Sequence, residues 1–76
     1  MIDELNLVVL MHDLPEYGLQ AGDVGVVVHV YKGQKAFEVE FVGGAGETVA
    51  VVTLRQDEVR PLAKGELLHV RSLAAA

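Results

Sequence analysis

Leu5 to Met11 (LNLVVLM) is an aliphatic run that stops at His12-Asp13-Leu14-Pro15, where the proline drives Leu14 into an extended conformation. The run is too short for a helix and reads as a first strand. Val24 to Tyr31 (VGVVVHVY) is rich in β-branched residues, Ala36 to Val42 (AFEVEFV) alternates apolar and acidic positions strictly, and Thr48 to Leu54 (TVAVVTL) is again β-branched. These predict strands two, three and four. Lys32-Gly33-Gln34-Lys35 and Gly43-Gly44-Ala45-Gly46 separate them and supply the glycines that tight connections need, so two hairpins follow in series. Arg55-Gln56-Asp57-Glu58 reads as a compact polar turn, a candidate single 3₁₀ turn, before a short fifth strand over 59–62. Asp13 to Asp23 (DLPEYGLQAGD) has little periodicity and is a long loop over one end of the sheet.

Five short strands in 76 residues predict an all-β fold, a small five-stranded SH3-like barrel over 1–62 with a long first loop. Curling the sheet hides its apolar face and covers its edges. Residues 63–76 read as a C-terminal extension, helix-prone or frayed, ending in Leu73 and three alanines.

The hairpin loops imply a register. A four-residue loop at Lys32–Lys35 pairs Val30 with Phe37, Val28 with Val39 and Val26 with Phe41, which makes that face the core. The same rule at Gly43–Gly46 sets Phe41 beside Thr48, Val39 beside Ala50 and Phe37 beside Val52. The opposite face then carries the rows Val27, Glu40, Val49 and His29, Glu38, Val51. Three outward valines form an apolar patch of the kind that marks an interface, and covering ~200 Å² of it is worth about 5 kcal/mol before the costs of association.

Composition narrows the function classes. Six Lys plus Arg against eleven Asp plus Glu give a net charge of −5, which opposes binding to a phosphate backbone. Lys32, Lys35, Arg55 and Arg60 are dispersed among acids and form no basic stripe. With no cysteine, disulfides are excluded and a reducing cytoplasm is the expected setting; the acidic start Met1-Ile2-Asp3-Glu4 does not have the form of a secretory signal. No apolar run has the roughly 20 residues of a membrane helix.

Candidate chemistry is sparse. His12, His29 and His69 sit on separate segments without zinc-ligand spacing, so no metal or cofactor is expected. The predicted His29–Glu38 cross-strand pair fits a ladder contact better than proton transfer. Asp13 and Asp23 fit turn capping better than a shared proton or cation, and with Glu16 they lack the spacing of a calcium loop. Ser72, Thr48 and Thr53 have no neighbouring base, and Gly22 and Gly25 are followed by neither lysine nor helix. An enzyme is not expected.

Leu14-Pro15-Glu16-Tyr17-Gly18-Leu19, Gly22-Asp23-Val24-Gly25-Val26-Val27 and Phe37-Glu38-Val39-Glu40-Phe41 together resemble a family of small bacterial proteins catalogued as a domain of unknown function. The resemblance runs from Met1 to about Leu62 and implies an SH3-like barrel without assigned activity. The stretch from Leu14 to Val26 is also similar to the SH3-like part of nitrile hydratase β subunits. Glutamate and glutamine stand here where those tend to be basic, and the helical half is missing, so this likeness implies a fold and no nitrile chemistry.

The function these readings imply is a non-catalytic protein–protein interaction module, self-associating or binding a partner protein in the manner of an antitoxin or immunity protein. Its contact residues would be Val27, His29, Glu38, Glu40, Val49 and Val51 on the outer face, with Glu16 and Tyr17 on the loop. The alternative is a small-ligand or nucleic-acid module that uses the 13–23 loop.

Overall fold

The computed structural model describes residues 1–73 and is all-β. Its strands are β1 (Leu7–Leu10), β2 (Val24–Val30), β3 (Ala36–Val42), β4 (Thr48–Arg55) and β5 (Val59–Pro61). All pair antiparallel in one sheet of order β4-β3-β2-β1-β5. The expected closure is not made by hydrogen bonds, and β4 and β5 remain the sheet's two edges. One face nevertheless wraps a single cluster to which every strand contributes: Val8 and Leu10, Val27, the β3 trio Phe37, Val39 and Phe41, Val52 and Leu54, and Val59. Ile2 and Leu19 add to it from outside the strands.

The connections follow local chemistry. The long loop folds as a 3₁₀ turn over Pro15–Tyr17, with proline fixing the first φ angle and Gly18 ending the turn in the left-handed region at φ 71°. Asp13 and Asp23 tie the loop down as capping acids: Asp13 Oδ1 accepts from the Ala21 amide at 2.9 Å, and Asp23 Oδ2 from the Gln20 amide at 2.8 Å. Another 3₁₀ turn, Lys32–Gln34, joins β2 to β3, while residues 56–58 form a hydrogen-bonded turn instead of a 3₁₀ one. The Gln34 side chain bonds both backbone groups of Ile2, holding the N-terminal segment against the cluster.

Two registers differ from the loop-length rule. Val30↔Phe37 and His29↔Glu38 pair as expected, but a bulge at Val28 then shifts β2 by one residue, giving Val27↔Val39 and Val26↔Glu40. A one-residue shift reverses faces. Val27 therefore points inward and is 0 % exposed, whereas Val26 turns outward and Val28 is exposed. In the second hairpin β4 slides by two residues, giving Phe41↔Ala50, Glu40↔Val51, Val39↔Val52 and Phe37↔Leu54. An even slide keeps the faces, and the extra residue is taken up by a second irregularity at Val49, which leans against the core.

The chain after β5 has no helix or strand across 63–73; the three alanines lie outside the described residues. It forms a strap held at two points. The Arg60 guanidinium grips Glu66 through two bonds of 2.7 and 2.6 Å, and the Arg71 guanidinium grips Asp23 at 2.8 and 2.5 Å while also donating to the Gly18 carbonyl. These bonds hold the Asp23 and Glu66 carboxyls below their ordinary range, Glu66 at about 2. Val9 pairs with Arg60 on one side and with Val24, next to Asp23, on the other. It is absent from the inner cluster yet only 6 % exposed.

Gly25 lies in close contact with the core. A β-carbon there would meet the Val39 side chain at 2.5 Å, with the Glu40 carbonyl and the Phe41 ring at 3.0 Å. Gly25→Ala is expected to lower unfolding stability by about 1–3 kcal/mol in urea denaturation, as overpacked cores do.

Candidate functional site

The bulge redraws the outer face. Its central row runs Leu7, Val26, Glu40, Val51 across four strands, and the next row runs His29, Glu38, Thr53. Leu7 is 41 % exposed and Val51 51 %, with Val28 and Val42 also exposed nearby along β2 and β3. Of the three valines expected outside, only Val51 stands there, and its ladder partner is Glu40. Val27 belongs to the core because of the Val28 bulge, and Val49 is half-buried against the core because of the irregularity before Val42. Leu7, Val26 and Val28 take their place. Nothing in the sequence separated the faces of β2, where every residue but His29 and Gly25 is valine.

His29, Glu38 and Glu40 lie outward as expected. Glu38 is the best-held group on this face: its Oε2 accepts hydrogen bonds from Thr53 Oγ1 and from the Tyr31 hydroxyl, each at 2.5 Å. The Thr53 bond first, and the Tyr31 bond second, keep the Glu38 carboxyl below the usual glutamate range, and the same contact pushes the Tyr31 hydroxyl up. Tyr31 meets the His29 ring edge-on at 4.7 Å. The imidazole Nδ1 has the Glu4 carboxylate 4.0 Å away. Glu40 accepts from Thr48 Oγ1 at 2.7 Å. Among the described residues neither Glu38 nor Glu40 makes an ion pair, and each keeps one carboxylate oxygen without a donor.

Glu16 and Tyr17 are exposed in the 3₁₀ turn, but they are not brought to this cluster. Their loop feeds the start of β2, whereas His29 lies five residues further along, about 16 Å at strand rise. What the loop does meet is the strap, through Arg71 and Gly18. Between strap, loop end and sheet lies a cleft of about 720 Å³, lined by Leu7, Leu19, Val24, Val42, Leu68 and Val70 among others. The strap was invisible to local pattern because its anchors, Arg71 and Asp23, are far apart in sequence. His12 and Glu58 make a similar long-range contact at 2.8 Å, on the rim near the last turn.

Among the described residues, no group of three or more His, Asp or Glu side chains is placed to hold a metal ion, and no helix is long and apolar enough to cross a membrane.

The family model for the Domain of unknown function (DUF4926) matches residues 4–61. The chain belongs to that family. The match spans β1 to β5 with the whole outer face and ends where β5 ends, so the strap lies beyond it. No curated protein and no solved structure matches the chain.

The Glu38 geometry predicts an order of effects. Thr53→Val should raise the Glu38 carboxyl titration more than Tyr31→Phe does, read by NMR of the side-chain carboxyl. Because the folded-state value is depressed, the stability Glu38 contributes is present above about pH 4.5 and fades as pH falls through its folded-state value, and both variants should blunt that acid dependence.

Proposed function

We propose that the protein is a non-catalytic interaction module whose outer sheet face receives a partner protein. The observation that carries this reading is the row Leu7, Val26, Glu40, Val51: exposed Leu7 and Val51 and half-buried Val26 flank a carboxylate that has no ion-pair partner among the described residues. A small domain ordinarily gives such positions to mixed charge, and a contiguous apolar row interrupted by an unpaired acid suits a partner that offers apolar contact plus arginine or lysine. The chain's net charge of −5 would speed encounter with a basic partner, as an antitoxin- or immunity-like role requires. His29 and Glu38, held by Tyr31 and Thr53, form the polar margin of that surface.

The test uses the full chain as bait in extract from the source cell, wild type beside Leu7→Lys/Glu40→Lys. A partner retained by the wild type should be released by the double variant, with affinity down by about thirtyfold or more if two central contacts are lost. The double variant should stay folded, since both positions lie on the outer face. Retention unchanged in the double variant would move the binding site elsewhere.

The cleft beneath the strap supports a second reading, a pocket for a small apolar ligand next to the 13–23 loop, now joined by Leu68 and Val70. A ligand bound there raises the melting temperature of the wild type, and Arg71→Ala, which frees the strap from Asp23, should cancel that rise. A screen of apolar small molecules that leaves the wild-type melting point unmoved removes this reading.

A further inference from the structure

The two edges of the sheet are guarded unequally. β5 is three residues long and ends in Pro61, which has no N–H to offer, and the chain leaves it into the strap. β4 is eight residues long, and Thr48 to Leu54 contains no charge, no proline and no glycine. Its irregularity at Val49 protects only the first residues; Ala50–Arg55 pair with β3 without interruption. Among the described residues no backbone group of Ala50–Leu54 bonds anything but β3. In an antiparallel ladder every second residue turns its N–H and C=O away from its partner strand, so this edge presents a regular row of free donors and acceptors.

The geometry points to a second copy of this chain as the strand that fills the edge, with β4 pairing antiparallel to β4 of the other copy about a twofold axis near Val51. Charge decides for a second copy over an unrelated strand. Glu47 and Arg55 stand four residues to either side of Val51 with nothing charged between them. Antiparallel self-pairing about that point brings Arg55 at the end of each β4 towards Glu47, one residue before the start of the other β4, at both ends, and sets no like charges against each other despite the net charge of −5. Both groups are solvent-facing: the Arg55 side chain is 72 % exposed and would exchange its surface contacts with Asp57 and Glu58, and Glu47, which accepts from the Ala45 amide, makes no ion pair among the described residues. The pairing would continue two curled sheets into one ten-stranded sheet. It uses the backbone edge of β4, shares Val51 with the outer row and leaves Leu7, Val26 and Glu40 open, so a change at Leu7 separates it from the partner-binding reading.

Sedimentation velocity and amide hydrogen exchange on the full chain, from about 10 μM to about 1 mM, test this in the range where small interfaces associate. The expected result is an 8.2 kDa monomer giving way to a species of twice that mass, with alternate amides in Ala50–Leu54 gaining protection as concentration rises. Arg55→Glu or Glu47→Arg alone should raise the dimer dissociation constant by about tenfold or more, and the double swap should restore it. Circular dichroism identifies any variant that fails to fold, and either single variant suffices. Leu7→Lys should leave the dimer intact. A mass that stays monomeric throughout, a dimer indifferent to both charge variants, or one dissolved by Leu7→Lys would each overturn the assignment.

Discussion

One extra residue in β2 governs this molecule. The interior of so small a domain is a single layer of side chains, and the chain can fill it only if each strand turns the correct alternate positions inward. By bulging at Val28, β2 satisfies the His29–Glu38 end of its ladder and still brings Val27 against Val39 at the core. Gly25, two residues before, lets the same strand lie close against Val39 and Phe41, so the backbone is curved where the sheet must wrap. Everything on the outer face follows from this: Val26 is outward because Val27 is inward, and Glu40 gains aliphatic neighbours on both sides.

The strands themselves were legible in the sequence because glycine, proline and β-branched runs act locally. In β3, where apolar and acidic residues alternate, the inward trio Phe37, Val39 and Phe41 could be read from pattern alone, and so could the outward pair Glu38 and Glu40. In β2 and β4 the pattern is aliphatic almost throughout. A strand that is apolar on both sides carries no mark of which side is which, so loop length had to decide the register, and loop length is blind to bulges. That is why Val27 and Val49 were expected on the outside while Leu7 and Val26 were not.

The strap was hidden for a different reason. Lys64 to Leu73 has weak local preference, and its place is set by two arginine–carboxylate clamps between residues distant in sequence. Charge counts cannot show such pairing. They record an acidic chain, whereas the structure shows how the cations are spent: Arg60 and Arg71 hold the strap and Arg55 lies by Asp57 and Glu58, which leaves the outer-face acids uncompensated.

The strap also bears on where this domain ends. The family match stops with β5, yet in this chain a further dozen residues follow, clamped through Arg60–Glu66 and Arg71–Asp23. Trimming the polypeptide at the shared boundary would keep every residue of the inner cluster but strip the guanidinium from Asp23 and the carboxylate from Arg60, so the carboxyl-terminal clamps are an addition of this chain to the matched portion.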